Sequence, residues 1–81
     1  MIERVHTIHY PEGDTRDVAR PLRYGMLVDI NGGQLPLPLE SEKMIAYRVW
    51  KISTEQTRNE ERTHYFLEQV YPAELRQYVT D

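Results

Sequence analysis

IAYRVWKISTEQTRNEERTHYFLEQVY, residues 45–71, is the stretch on which the fold turns. Residues 45–52 hold Ile45, Tyr47, Val49, Trp50 and Ile52, and residues 63–71 hold Thr63, Tyr65, Phe66, Val70 and Tyr71. These β-branched and aromatic types suit a pleated, half-buried surface. The stretch between them, Ser53 to Arg62, is polar. With Asn59 and Glu60 as a two-residue loop, Val49 faces Val70, Ile52 faces Leu67 and Thr54 faces Tyr65, while Lys51 meets Glu68 and Glu55 meets His64. Apolar residues then meet apolar ones and opposite charges meet, each pair contributing about 0.2–1 kcal/mol. A long β-hairpin with a polar tip projecting beyond the core is the expectation. A helix over residues 59–70 is the competing one: Asn59 would cap it, Glu60 and Glu61 would occupy its first turn, and Thr63, Phe66, Leu67 and Val70 would line one face. Composition and charge register favour the hairpin.

Working toward the N-terminus, Leu22, Tyr24, Met26, Val28 and Ile30 recur at period two, which predicts a half-buried strand over Leu22–Ile30. Asn31-Gly32-Gly33 then favours a tight reversal. Leu35-Pro36-Leu37-Pro38-Leu39 reads as an edge strand or polyproline-like extension returning along that strand, leucines inward and prolines outward, because proline cannot donate to a ladder. Ile2–Tyr10 is a further strand. In Pro11–Pro21, Asp14 is expected to cap a brief helical turn ending before Pro21. At the other end, Pro72 suits a first helical position and Glu74 complements the helix dipole. Leu75, Tyr78 and Val79 make an apolar face, so a short helix docked on the sheet is predicted. The fold class is mainly β (α+β): a small antiparallel sheet of four to five strands, a long C-terminal hairpin and a short C-terminal helix, in one domain spanning residues 1–81.

Composition sets the scale of what such a domain can do. Leu, Ile, Val and Phe make up 19 of 81 residues, enough for a thin core, and a net charge of −3 does not force the chain open. The lack of cysteine removes disulfides, thiolate metal sites and thiol nucleophiles together. No apolar run approaches the roughly 18 residues of a membrane span, and no basic segment leads into an apolar one at Met1–Val5, so the cytoplasm is the expected compartment. A slightly acidic chain is a poor match to nucleic acid backbone, whose neutralisation needs clustered Lys and Arg.

Few residues suggest chemistry. His6 and His9 lie three apart, which on a strand sends them to opposite faces, so they do not share a metal ion. Asp14 with Asp17, and Glu60 with Glu61, fall in polar turns where nothing desolvates them. Asn31-Gly32-Gly33 lacks the lysine of a phosphate loop. No catalytic, cofactor-binding or metal-ligating residue is therefore assigned. Arg16, Arg20 and Arg23 form the one basic concentration, a candidate anion site. Tyr47, Trp50 and Tyr65, with Leu37 on the proline-rich edge, are candidate interface residues, since aromatic side chains bury large area at small entropic cost. The function expected is a non-enzymatic protein–protein interaction module that self-associates, as a homodimer or other homo-oligomer, or docks on a larger protein partner. The alternative is a small anion- or nucleotide-binding sensor built on the three arginines.

Overall fold

The computed structural model describes residues 2–39, 41 and 43–79. Five strands, β1 (Glu3–His9), β2 (Thr15–Val18), β3 (Leu27–Val28), β4 (Ala46–Gln56) and β5 (Glu60–Val70), form one curled sheet in the order β2-β1-β5-β4-β3. A helical turn α1 (Pro72–Leu75) runs into a 3-10 turn, Arg76–Tyr78. The mainly β fold with a short C-terminal helix is thus as the sequence predicts. One ladder departs from the antiparallel expectation: β1 runs parallel to β5, from Glu3 beside Glu60 to His9 beside Phe66.

The long hairpin forms, and residues 60–70 are strand rather than helix. Its register differs from the sequence expectation. Thr57 donates its backbone N–H to the Glu60 carbonyl, so Arg58 and Asn59, not Asn59 and Glu60, make the loop. A β-bulge between Val49 and Lys51 then shifts the ladder again. Val49 therefore faces Leu67, Ile52 faces Tyr65, Glu55 faces Arg62, and Ala46 faces Val70. Glu68 is met by Arg48, whose Nε donates to it at 3.1 Å, instead of by Lys51.

Two cores follow from the alternation of side chains across the sheet. On one face Ile8, Val28, Tyr47, Val49, Tyr65 and Leu67 pack together, with Val18, Leu22, Met26 and Ile52 against them. On the other face Leu27, Ala46 and Val70 are covered by Leu39 and by Leu75 of α1. Full burial of a side chain such as Ile8, Val49 or Leu75 stabilises by about 1.5–3 kcal/mol. Arg48 ties the second core together, pairing with Glu68 of β5 and Glu74 of α1.

The N-terminal half is built by two reversals of one type. Tyr10 donates to the Asp14 carbonyl and accepts from Gly13, while Asp29 donates to the Gly33 carbonyl and accepts from Gly32. Each is a three-residue loop closed by a glycine of positive φ, +107° at Gly13 and +84° at Gly32. Pro11-Glu12-Gly13 hence joins β1 to a real strand, β2, where a helical turn capped by Asp14 was expected. The Asn31-Gly32-Gly33 reversal forms as predicted, with the Asp29 carboxylate accepting from the Asn31 and Gly33 N–H groups. The strand before it is much shorter than Leu22–Ile30, because Arg23–Met26 turns at Gly25 and only Leu27–Val28 pairs with β4. Of the three leucines beyond it, Leu39 is buried and Leu35 half-buried, but Leu37 is exposed; Pro36 and Pro38 point outward as expected.

Gly32 packs against the sheet, and a Cβ there would sit 2.9 Å from Ile8 Cδ1 and 3.0 Å from Val18 Cγ1. Around Gly13 nothing lies within 4 Å. Gly32→Ala is expected to lose about 2–4 kcal/mol through backbone strain plus overpacking, and Gly13→Ala only about 1–2 kcal/mol through strain alone. Urea unfolding of the two variants checks the order; equal losses would show that the 31–34 turn does not seal the core.

Candidate functional site

Beyond the area covered by α1, no element among the described residues covers the second face of the sheet, and a row of aromatic side chains crosses three strands there. The parallel ladder sets His9 of β1 directly beside Phe66 of β5, and the bulge brings both Trp50 and Lys51 of β4 opposite Phe66. The His9 and Phe66 rings stack with centroids 4.6 Å apart at 17°. Trp50 lies 6.5 Å from Phe66, and Lys51 Nζ sits 5.3 Å from the Phe66 centroid. Trp50 is 55% exposed, although it anchors this row.

Next to the row stand two histidines in contact. His9 Nε2 and His64 Nδ1 are 2.8 Å apart, and His64 Nε2 lies 3.4 Å from Glu55 Oε1. Two neutral rings suffice for this chain: His9 Nε2–H can donate to His64 Nδ1 while His64 Nε2–H donates to Glu55. Desolvation first, and the neighbouring His64 second, hold the His9 pKa below its ordinary value. Two imidazoles alone do not make a metal centre, and no cluster of three or more metal-ligating side chains occurs among the described residues. His6 sits on the opposite face, sharing a 3.1 Å hydrogen bond with the Tyr65 hydroxyl, as the odd offset from His9 requires.

Farther along the same face the polar groups satisfy one another. Arg62 reaches Glu60 with two nitrogens at 3.2 and 3.3 Å, donates to Thr7 Oγ1 at 2.7 Å and pairs with Asp17 at 3.4 Å. Thr7 in turn donates to Asp17 at 2.8 Å. The network joins β5, β1 and β2.

The structure redistributes the residues singled out in the sequence. Tyr47 and Tyr65 are 4% and 3% exposed, so they are core residues and not interface, because both point into the first core between β3 and β1. Trp50 is exposed on the bulge. Leu37, 60% exposed, lines a depression with Tyr78 and Val79 at the C-terminal turn, away from Trp50's row. Arg16 and Arg20 line one groove of about 440 Å³ between β2 and the 31–34 turn, whereas Arg23 lies outside it. Asp17 is taken by Arg62, and none of the three arginines makes an ion pair among the described residues. The residues that sequence spacing missed are His9, His64 and Phe66, brought together by a pairing of strands more than fifty positions apart.

The family described as "Uncharacterised Treponema protein" matches residues 3–78, and the chain belongs to it. No curated protein and no solved structure matches the chain. No helix among the described residues is long and apolar enough to cross a membrane.

Because the folded pKa of His9 lies below the unfolded value of 6.5, the unfolded chain takes up that proton first. The stability linked to neutral His9 is complete above about pH 6.5 and is lost as pH falls from there through the folded pKa. His9→Gln removes this contribution. Between about pH 7.5 and pH 5.5 the melting temperature of the parent should fall further than that of the variant. Parallel curves would show that the His9–His64 contact does not resist protonation.

Proposed function

We propose that this protein is a non-enzymatic interaction module of the cytoplasm that self-associates through the uncovered face and arm of its sheet. The exposed Trp50, held beside Phe66, Lys51 and His9 on a face that no other element among the described residues covers, carries this reading. Aromatic residues so placed are characteristic of binding hot spots. The arm supports it further. Strands β4 and β5 extend past the core into an elongated molecule 49 Å long and 22 by 17 Å across. Ser53 to Asn59 are all exposed. Within the chain, β1 already lies along the β5 side of that arm and orders it. A second chain would complete the other side.

Sedimentation equilibrium on the parent should show a mass that rises with concentration. Trp50→Ser should weaken association about tenfold or more while leaving the melting temperature nearly unchanged, since the indole is half outside the fold. A monomer at every concentration up to about millimolar, where association would be worth only about 4 kcal/mol, would refute self-association.

The alternative of an anion sensor is favoured by one observation, the unpaired Arg16 and Arg20 on a shared groove. Such a site should raise the melting temperature in inorganic phosphate or pyrophosphate, and Arg20→Ala should abolish most of the rise. Equal shifts in parent and variant would remove it. Arg23, outside the groove, should be dispensable.

A further inference from the structure

We infer that two copies of this chain pair edge to edge through the outer side of β4, antiparallel about a two-fold axis at Ser53, with Lys51 of each copy facing Glu55 of the other. The inference rests on the self-association proposed above and specifies its geometry.

The edge is free over a length suited to pairing. β3 contacts β4 only at Tyr47 and Arg48, and Val49 is the last β4 residue with backbone bonds on that side, to Gly25 and Met26. From Lys51 to Gln56 the outer side of β4 has no backbone partner among the described residues. An unpaired strand edge is a template for another strand.

Backbone direction limits the registers. Thr57 bonds inward to Glu60, so by alternation Glu55, Ser53 and Lys51 also turn their backbone groups to β5. Gln56, Thr54 and Ile52 turn theirs outward. Two copies pairing antiparallel must therefore match outward residues with outward residues. With the axis at Ser53, Ile52 and Thr54 exchange backbone hydrogen bonds with Thr54 and Ile52 of the other copy. Lys51 and Glu55, side by side with their counterparts in a non-hydrogen-bonded position, meet as opposite charges twice. With the axis at Thr54, Glu55 would face Ser53 and Lys51 would face Thr57, losing both charge pairs. Parallel pairing in register would set Lys51 on Lys51 and Glu55 on Glu55. The charge pattern thus selects a closed two-fold dimer over an open stack. Both side chains are available, since Lys51 and Glu55 are exposed and their contacts, with Phe66 and His64, lie on the face where the partner's residues would arrive.

The opposite edge of the sheet does not offer the same match. Tyr10 bonds to Asp14 at the β1–β2 turn, so Arg16 and Val18 turn inward and Thr15 and Asp17 outward. Self-pairing of the four-residue β2 with its axis at Arg16 or Asp17 sets that residue against its own copy, and an axis at Thr15 or Val18 leaves most of the strand unpaired. Asp17 is also already engaged by Thr7 and Arg62.

Cysteine cross-linking and charge reversal test the pairing in this 81-residue chain, which has no cysteine of its own. Ser53→Cys should form a disulfide-linked dimer under mild oxidation, because opposed residues across this site have Cα atoms within the 4.4–6.8 Å that a disulfide spans. Thr54→Cys should not, because it opposes Ile52 of the other copy. Lys51→Glu or Glu55→Lys alone should weaken the dimer about tenfold, and the double variant should recover to within about threefold. A dimer that forms without Ser53→Cys cross-linking, or that is indifferent to charge reversal, overturns the edge pairing and leaves self-association standing. Cross-linking by Thr54→Cys instead overturns the register. A parent that stays monomeric at millimolar concentration overturns both.

Discussion

The parallel ladder between β1 and β5 is the constraint on which the rest of this structure depends. Without it the chain would divide into a small N-terminal hairpin, β1 with β2, and a separate C-terminal one, β4 with β5. Seven residue pairs from Glu3–Glu60 to His9–Phe66 join them into one sheet. Ile8 is thereby brought between Val18 and Tyr65, and the first core closes. The same ladder lines up Thr7 with Arg62's network and His9 with Phe66. Polar anchoring and aromatic row are both consequences of one strand pairing whose closure entropy must be offset by burial on both sides of it.

The bulge at Trp50 is the second decisive feature, and it resolves a conflict within β4. Tyr47 and Val49 have one phase of alternation, Ile52 has the other, and all three are apolar. A regular strand would send Ile52 to the face opposite Val49. One inserted residue lets both join the first core, opposite Leu67 and Tyr65. The residues displaced by that solution, Trp50 and Lys51, emerge together on the uncovered face. The most exposed part of the aromatic row is therefore a by-product of packing the core correctly.

Charge is arranged around two half-buried arginines. Arg48 holds α1 to β4 and β5 through Glu74 and Glu68, and Arg62 holds three strands together through Glu60, Thr7 and Asp17. Buried or half-buried guanidinium groups stay stable when every direction is satisfied by an acceptor. Arg16 and Arg20 on their groove, and Lys51 and Glu55 on the free edge of β4, enter neither of these arginine networks. Each belongs to one of the two functional readings.

How much of this was legible in the sequence can be read residue by residue. Composition identified Ile2–Tyr10, 45–52 and 63–71 as strands, Pro72 and Glu74 as a helix start, and Asn31-Gly32-Gly33 as a reversal, because each of these rests on local backbone preference. Tyr10-Pro11-Glu12-Gly13 carried an equally local signal, proline then glycine around a tight turn, and would have disclosed β2 in place of a helical turn. The slip of phase between Val49 and Ile52 likewise marked the bulge. Trp50 and Leu37 could be judged surface candidates from type and edge position, while Tyr47 and Tyr65 are the same residue type placed in the core. No local property separates a core tyrosine from a surface one. The hairpin register, the parallel partner of β5, and the meeting of His9 with His64 and Phe66 were decided only in the tertiary structure. They depend on which distant strands bury the most apolar surface together, and a residue's immediate neighbours in sequence carry no record of that choice.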